Sequence, residues 1–303
     1  MTEAEWIVAL RNLPLHPAAR GLRDDAALID AGELVVSTDT LVEGVHFLPA
    51  DPPEDVAWKL VATNLSDLAA KGAAIEGVLL NYPLRDDGWD RAFLAGFEGA
   101  LVELGARLIG GDTVSLPACA PRVLTLTAFG SDAVAPPRTG ARAGDVLWVT
   151  GAIGDAGAGL ALARQGADEP ADLLNAYRRP WPRLAEGRAL APLAHAAMDV
   201  SDGLLIDAAR MAAASGLAAH IDLAAVPLSP AYRATRGASR AARLAAATAG
   251  DDYQLLAALP AGIDSPVAAT RIGMLVEGSG LALFDIDEAV PLPPRIGFEH
   301  GAS

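Results

Sequence analysis

The chain has 303 residues, of which 52% are hydrophobic and 20% are charged, so it is long enough for about two packed domains. Its formal net charge of −15 excludes a broad nucleic-acid-binding surface, because phosphate backbones need clustered lysine and arginine. The single cysteine, Cys119, excludes an internal disulfide and favours a reducing compartment. Residues 1–14 lack a basic leader and no apolar run is long enough to span a bilayer, so we expect a cytoplasmic protein.

The N-terminal half alternates predicted helices with predicted strands. Hydrophobic spacing predicts helices over residues 2–13, 52–71 and 90–104, and strands over residues 32–37, 75–82, 107–109 and 122–130. Residues 132–144 contain Pro136, Pro137 and Gly140, a composition that predicts a connection between domains. We therefore expect one domain over residues 1–137 and a second over residues 138–303.

The second half repeats the mixture of strands and helices. A strand from residue 145 enters the glycine-rich turn GAIGDAGAG, which lacks the spacing of a dinucleotide-binding loop. Further helices are predicted over residues 159–165, 184–195, 204–214 and 239–248, and strands over residues 197–200 and 253–258. The fold class expected is therefore α/β (or α+β), with two mixed domains.

Six short acidic motifs are distributed along both halves. They are DDAAL at Asp24, STDT at Ser37, NLSDLAAKGA at Asn64, GGDT at Gly110, MDVSDG at Met198 and GDDYQ at Gly250. Most are predicted to lie where a strand ends, and carboxylates gathered there repel one another unless cations lie between them. Oxygen-rich sites of this kind suit Mg²⁺, which commonly binds together with substrate phosphates. The motifs therefore predict a magnesium-dependent enzyme that acts on phosphates.

Each motif in the first half also has a structural interpretation. Asp39 and Asp112 are suited to cap a turn after a strand. Asp67 lies inside a helical pattern, where aspartate is a poor helix former, and it shares a face with Asn64. That face is solvated, or Asp67 bonds to Lys71 four residues later, or Asp67 is directed into a cleft as a ligand.

The motifs of the second half leave similar alternatives open. Ser201 or Asp202 is suited to cap the helix predicted from residue 204, although an N-terminal helix end also attracts phosphate. The pair Asp251 and Asp252 repeats the pattern of paired carboxylates, directly before a predicted strand. A P-loop, a protein-kinase motif set and a nucleophile elbow are all absent from the sequence.

Taken together and in this order, the motifs resemble those of the thiamine-monophosphate kinase family. The resemblance rests on STDTLVEGVHF, ATNLSDLAAKGA, LIGGDT, RTGARAGD, VTGAIGDAGAGL, MDVSDGL and GDDYQL, and it extends from about residue 21 to residue 298. This family belongs to the superfamily of aminoimidazole ribonucleotide synthetase and selenophosphate synthetase. The resemblance implies two α/β domains, an active site between them and a homodimer formed through the N-terminal sheet.

The resemblance also implies roles for individual residues. The implied ligands of several Mg²⁺ ions are Asp25, Ser37, Thr38, Asp39, Asp67, Asp112, Asp199 and Asp202. The implied ATP contacts are Gly111, Asp112, Arg138 and Ser201, and the implied contacts to thiamine monophosphate are His46, Asp251 and Phe298. Without the resemblance, a single histidine such as His46 beside Phe47 is more often structural.

Three positions depart from the usual family pattern. Arg23 replaces a glycine of GIGDDAA, Asp251 replaces the glutamate of GGEDYEL, and Phe298 replaces a tryptophan near the C-terminus. Arg23 either adds a charge near the phosphates or changes the loop. The shorter side chain of Asp251 is expected to lengthen a substrate contact, and Phe298 offers a smaller stacking surface.

The reaction implied is the transfer of phosphate from ATP to thiamine monophosphate, giving thiamine diphosphate without a general base. A member of the same superfamily that binds nucleotide without turnover, or that uses another acceptor, is the alternative. A metal-dependent phosphatase would release phosphate from thiamine monophosphate without ATP. Selenophosphate synthetase and the hydrogenase-maturation relative use a catalytic cysteine or a cysteine tail, and this chain has neither.

Overall fold

The computed structural model describes residues 3–22 and 32–299. The chain divides into two compact units. The first unit comprises Met1–Leu68 and Ala73–Ala133, and the second comprises Ala69–Gly72 and Val134–Ser303. The domain boundary expected between residues 137 and 138 stays a prediction.

The described part of the first unit has a four-stranded sheet in the order β1-β4-β2-β3. These strands are β1 (Val35–Val42), β2 (Ala74–Leu84), β3 (Leu108–Ser115) and β4 (Val123–Ser131). Strands β1 and β2 both pair antiparallel with β4, whereas β2 and β3 are parallel. Strands β1 and β3 therefore lie at opposite edges of this sheet.

Helices cover one face of the first sheet. They are α1 (Glu3–Leu10), α2 (Pro53–Ala70) and α3 (Asp87–Leu104). Helix α3 begins where the Asp86 side chain accepts a hydrogen bond from Trp89 N, and it ends at Gly105, whose φ of 71° suits glycine. Buried side chains of α2, α3 and the sheet form one hydrophobic core. The opposite face of the sheet keeps Val36, Val114 and Val123 about half exposed.

The described part of the second unit has a seven-stranded sheet in the order β11-β10-β7-β9-β5-β8-β6. Its strands are β5 (Val146–Thr150), β6 (Ala196–Val200), β7 (Leu217–Asp222), β8 (Gln254–Leu259), β9 (Ala269–Glu277), β10 (Gly280–Asp285) and β11 (Glu288–Val290). Only β7 and β10 pair in parallel among these strands; the other neighbours are antiparallel.

Helices of the second unit bury the larger core against this sheet. They are α4 (Asp155–Arg164), α5 (Ala171–Arg178), α6 (Leu184–Leu190), α7 (Leu204–Ala214), α8 (Pro230–Arg236) and α9 (Arg240–Thr248). All of them except α6 contribute buried side chains to this core, whereas Leu190 of α6 belongs to a smaller cluster. A smaller cluster around Leu255, Ala257 and Leu259 is buried separately from that core. The predicted class of two mixed α/β domains is confirmed. Within the described residues, no helix is both long and apolar enough to cross a membrane.

The position of two acidic motifs differs from the sequence prediction. Asp39 and Asp112 were expected after strands, but they lie inside β1 and β3. In β1 the alternation of β-branched residues continues through Thr38 and Thr40, which pair with Thr127 and Thr125 of β4. The prediction that these motifs end their strands was therefore wrong, because cross-strand pairing extends both strands past the carboxylates.

Candidate functional site

A cluster of polar side chains lies between β1 and α2 in the first unit. The hydroxyl of Ser37 donates a hydrogen bond to Asp67 Oδ2, and the N–H of Asp39 donates to Asn64 Oδ1 at 3.0 Å. Ser37 and Asp39 are two residues apart on a strand, so they share a face. Asn64 and Asp67 are three residues apart on a helix, so they also share a face. We call these four residues the Ser37–Asp67 cluster.

Burial separates Asp67 from an ordinary solvated helix face. Residues 56–66 and 68–70 of α2 are all buried, whereas Asp67 alone in this stretch is partly exposed. Asn64 is 0% exposed, and its side-chain nitrogen donates to Leu60 O at 2.9 Å, which fixes the direction of its oxygen. Lys71 donates to the carbonyl oxygens of Pro136 and Ala197. The described contacts of Lys71 are thus with backbone carbonyls, and Asp67 is the partly exposed position of an otherwise buried stretch.

Two other predicted ligands of the first unit lie apart from this cluster. The hydroxyl of Thr38 pairs with Thr127 Oγ1 at 3.0 Å on the opposite face of β1. Asp112 lies on β3, which is separated from β1 by three strand spacings, a distance of roughly 14 Å across the sheet. The structure thus brings Ser37, Asp39 and Asp67 together, and it does not bring Thr38 or Asp112 to them.

Close packing accounts for one predicted ATP contact. A Cβ atom at Gly111 would lie 1.8 Å from Leu80 O, because β2 and β3 approach closely there. A Cβ atom at the neighbouring Gly110 would meet only a side-chain carbon, Leu79 Cδ2, at 3.5 Å. Glycine at position 111 is therefore required by the sheet, whether or not a phosphate approaches its N–H.

The turn that carries His46 is held by buried charges. His46 Nδ1 accepts a hydrogen bond from Val42 N at 2.9 Å, and its carbonyl accepts one from Lys59 Nζ at 3.1 Å. Glu43 accepts from Arg122 N at 2.9 Å and pairs with the guanidinium of Arg85 at 3.3 Å. These polar contacts fix the turn after β1, which includes His46.

In the second unit, the turn between β6 and α7 is organised around a carboxylate. Asp207 accepts hydrogen bonds from the backbone N–H groups of Ser201, Asp202 and Gly203 at 3.0–3.2 Å. Arg210 forms ion pairs with both Asp202 and Asp207. Burial raises the pKa of Asp207 to about 6 against these favourable contacts. Asp207 thus fixes the turn that presents two predicted ligands, Ser201 and Asp202.

Sequence reasoning missed this function of Asp207. The available signal was an aspartate one turn into the apolar helix LLIDAARM, where aspartate is unfavourable unless it caps backbone N–H groups. The predicted ligand Asp199 is a different case, because it lies buried inside β6, where it pairs with Leu255 of β8. Of the three aspartates in MDVSDGLLID, Asp207 is therefore the one to which the structure gives a structural role.

The GDD motif before β8 contacts the same turn. Asp251 N donates to Ser201 O at 2.7 Å, and Tyr253 N donates to Val200 O at 2.8 Å. Asp251 and Tyr253 both adopt left-handed backbone conformations, with φ of 69° and 49°. Such conformations are costly for residues other than glycine and are concentrated at functional sites. Asp251 is therefore held beside the Ser201–Gly203 turn by a strained segment.

Asp252 connects this segment to the glycine-rich turn. Its carboxylate accepts hydrogen bonds from Gly154 N at 2.7 Å and Ala156 N at 3.2 Å, at the beginning of α4. Burial raises the pKa of Asp252 well above the ordinary value. The GAIGDAGAG turn, the GDD motif and the SDG turn thus form one hydrogen-bonded group, with Asp252 as a structural member.

The C-terminal segment also reaches this group. Phe298 N donates to Asp202 O at 2.9 Å, and the Phe298 side chain is 44% exposed. A Cβ atom at Gly297 would lie 2.2 Å from Ile206 Cγ2, so this segment packs tightly on α7. Ser201, Asp202, Asp251 and Phe298 therefore converge, although the family resemblance implied three different ligands for them.

Among the described residues, no hydrogen bond joins the predicted ATP contact Arg138 to this group. Arg138 has an exposed side chain, and its carbonyl accepts a hydrogen bond from Ser215 Oγ at 3.2 Å. Asp25, the remaining predicted metal ligand, lies outside the described residues, as do Asp24 and Arg23.

The donor atoms suit Mg²⁺ better in the first unit than in the second. The described residues contain no group of three or more His, Cys, Asp or Glu side chains arranged to hold a metal ion. The Ser37–Asp67 cluster nevertheless combines two carboxylates with a hydroxyl and an amide oxygen, which are oxygen ligands that Mg²⁺ accepts alongside water. In the second unit the Asp202 carboxylate already has a cationic partner in Arg210.

Two family models match the chain over most of its length. The AIR synthase related protein N-terminal domain matches residues 23–131, and the AIR synthase related protein C-terminal domain matches residues 142–286. A relative from Caulobacter vibrioides named thiamine-monophosphate kinase is 38% identical over 312 residues, covering 94% of this chain and 86% of the relative. The similarity includes both described units.

Solved structures show the same relationship. The crystal structure of thiamine-monophosphate kinase from Stenotrophomonas maltophilia has a TM-score of 0.79 and 38% identity, covering 89% of this chain and 91% of that chain. A structure of AaThiL complexed with AMPPCP and TMP has a TM-score of 0.76 and 31% identity, covering 87% and 86% of the two chains. Sequence and fold comparisons thus agree on one group of relatives.

Proposed function

The chain belongs to the thiamine-monophosphate kinase family, and we propose that it transfers the γ-phosphoryl group of ATP to thiamine monophosphate, forming thiamine diphosphate and ADP. Family membership is supported by relatives that span both matched domains. The AaThiL complex with AMPPCP, an analogue of ATP, supports the choice of nucleotide and acceptor. The Ser37–Asp67 cluster is the structural observation that carries the proposal, because it supplies oxygen ligands for a phosphate-bound cation.

The nucleophile would be a phosphate oxygen of thiamine monophosphate. A phosphate monoester has a second pKa near 6, so it is largely dianionic at neutral pH and needs no general base. The difficulty is the repulsion between two anionic reactants, and bound Mg²⁺ would supply the compensating positive charge. The protein therefore contributes mainly binding and alignment, which agrees with the predicted absence of a catalytic base.

We propose that Ser37, Asp39 and Asp67 hold Mg²⁺ in the first unit. Their support is the hydrogen bonds that join Ser37 to Asp67 and the Asp39 backbone to Asn64 and, for Asp67, partial exposure within a buried helix. The other proposed ligands are Asp25, Thr38, Asp112, Asp199 and Asp202. Because Asp112 lies across the sheet from Asp39, the two would serve different ions of the several that we propose.

We propose that Gly111, Asp112, Arg138 and Ser201 contact ATP, and that His46, Asp251 and Phe298 contact thiamine monophosphate. The convergence of Asp251 and Phe298 on one turn supports their shared role. The partly exposed Phe298 ring offers a stacking surface for a heterocycle. The exposed guanidinium of Arg138 is suited to offset phosphate charge.

We also propose a cytoplasmic homodimer that pairs through the first sheet. The face of this sheet away from α2 and α3 carries exposed valines together with the paired threonines of β1 and β4, a composition suited to an interface. The single cysteine, which is exposed, is consistent with a reducing compartment. The acidic chain supports no nucleic-acid partner.

The test is to mix purified protein with thiamine monophosphate, ATP and Mg²⁺, and to measure thiamine diphosphate and ADP in the same samples. Equal amounts of both products, lost when Mg²⁺ is chelated, are expected. ADP without thiamine diphosphate would favour another acceptor, whereas phosphate released without ATP would favour a phosphatase. Nucleotide binding with neither product would favour a non-catalytic member of the superfamily.

A further inference from the structure

A cavity lies on the sheet of the second unit, at strands β7, β9 and β10. Its volume is about 520 Å³, within the range of roughly 300–1,000 Å³ that is typical of small-molecule sites. The lining side chains that matter most are His220, Asp222, Arg271, Phe284, Ile286 and Asp287. None of them belongs to the proposed active site, so the cavity requires a separate explanation.

The floor of this cavity is aromatic. His220 and Phe284 lie on neighbouring strands, with ring centroids 5.3 Å apart and planes tilted by 54°. The alternate residues Ile221 and Leu283 are buried in the core, so the two rings lie on the other face of the sheet. A floor of this kind favours a flat ring, which gains stacking or edge contacts with both side chains.

The rim carries hydrogen-bonding groups with unused capacity. Asp222 Oδ1 accepts from Ala224 N at 2.9 Å and Ile286 N at 3.0 Å, and its Oδ2 has no partner among the described residues. Across residues 3–22 and 32–299, the Arg271 guanidinium and the Asp287 carboxylate likewise have no hydrogen-bond or ion-pair partner. The cavity therefore offers acceptors for an amino group and a guanidinium for an anion.

The wall formed by the β10–β11 turn is strained and held in place. Ile286 has a φ of 63° and is 72% exposed, although a β-branched residue disfavours this left-handed conformation. Arg240 pairs with Asp285 at 2.5 Å and with Glu288 at 2.6 Å, on either side of the turn. Together with the Ile286 N–H bond to Asp222, these contacts fix the turn as one wall of the cavity. Strain of this kind is a feature of ligand sites.

We propose that this cavity is a second ligand site, which binds an aminopyrimidine ring that carries phosphate. The ring would lie on His220 and Phe284, its amino group would donate to Asp222 Oδ2 or Asp287, and its phosphate would pair with Arg271. Adenine nucleotides and thiamine phosphates both contain an aminopyrimidine ring. The choice of these two sources rests on the proposed function, in which they are reactants and products.

The experiment counts binding equivalents on the full chain with Mg²⁺, by calorimetric titration with ADP and, separately, with thiamine diphosphate. Wild type is expected to bind two equivalents of at least one of them. Arg271→Ala should weaken the second equivalent by about tenfold or more, because a charge-assisted pair is lost, and leave the first unchanged. Phe284→Ala should weaken the same equivalent. The matched control is Arg164→Ala, which removes an exposed guanidinium elsewhere in the unit. This variant should change the affinity of neither the first nor the second equivalent.

The two titrations distinguish the sources. A second equivalent for ADP alone identifies the adenine ring, and one for thiamine diphosphate alone identifies the thiamine ring. A single equivalent for both ligands, or a second one that is equally strong in Arg271→Ala, would overturn the proposal. A failure of the proposed function would be recognised in a different assay: wild type would form no thiamine diphosphate. That result does not depend on whether Arg271 contributes to the second binding equivalent.

Discussion

The acidic groups of the two units are stabilised in different ways. In the first unit, the Asp67 carboxylate accepts a hydrogen bond from the neutral hydroxyl of Ser37, and the backbone N–H of Asp39 is held by the amide oxygen of Asn64. In the second unit, Asp202 and Asp207 share the guanidinium of Arg210. Aspartates in motifs that look alike in the sequence thus have different partners: a neutral hydroxyl for Asp67 in the first unit, and a guanidinium for Asp202 in the second.

This difference indicates where a bound cation has most effect. Close carboxylates with neutral partners gain most from an added cation, whereas a carboxylate already paired with arginine gains less. We therefore expect the first unit to dominate the Mg²⁺ dependence of turnover. We expect the Ser201–Gly203 turn of the second unit to be held by protein charges even without metal.

The largest expected effect is the loss of turnover in Asp67→Ala. Removing one carboxylate of the Ser37–Asp67 cluster should lower kcat/KM by about a thousandfold, since metal-assisted charge stabilisation contributes several kcal/mol. Folding should be nearly unchanged, because Asp67 is only partly buried. Steady-state kinetics and thermal unfolding measure the two properties. Glu103→Ala, an exposed change in the same unit, should keep full activity; an active, metal-replete Asp67→Ala would remove Asp67 from the site.

The next effect is structural and concerns Gly111. Gly111→Ala should lower the free energy of unfolding by about 3 kcal/mol or fail to fold, because its Cβ would overlap Leu80 O. Gly110→Ala is the matched control, and it should cost less than about 1 kcal/mol because its Cβ has room. Denaturant unfolding of both variants measures the difference. Equal stability of the two would show that packing does not determine the glycine at position 111.

In the second unit, Asp207→Ala should lower the free energy of unfolding by about 2 kcal/mol, because backbone N–H groups lose a buried acceptor. Urea denaturation measures this change, and the exposed Asp264→Ala provides a control of the same residue type. If Asp207→Ala were as stable as the control, the turn would be held by something other than this carboxylate.

The smallest effect compares the two faces of β1. Ser37→Ala should lower kcat/KM by about tenfold, because the side chain that orients Asp67 is lost. Thr38→Val should lower kcat/KM less than Ser37→Ala does, because the Thr38 hydroxyl bonds to Thr127 on the other face of β1 and lies apart from Asp67. Both variants remove one hydroxyl from adjacent positions. A larger loss in Thr38→Val would place the functional ligand on the sheet face that we assign to dimer contacts.

The sequence predicted the class of fold because hydrophobic periodicity is local information. It also predicted that Asp67 lies in a helix, and the structure confirms this. The prediction that strands end at Asp39 and Asp112 was wrong. The extension of β1 depends on its pairing with β4, a strand that is distant in sequence. The structural functions of Asp207 and Asp252 were missed for the same reason: each depends on which backbone N–H groups the fold brings to the carboxylate. The roles of the site residues in binding stay predictions.

The most direct measurement of the central claim is metal rescue of Asp67→Cys. A thiolate is a poor ligand for Mg²⁺ but a good one for softer ions, so the metal dependence should change with the ligand. Thiamine diphosphate formation by Asp67→Cys should be lost in Mg²⁺ and partly restored by Mn²⁺ or Cd²⁺, with wild type measured in each metal as the control. Turnover in Mg²⁺ equal to wild type would contradict the claim that the Ser37–Asp67 cluster holds the catalytic cation.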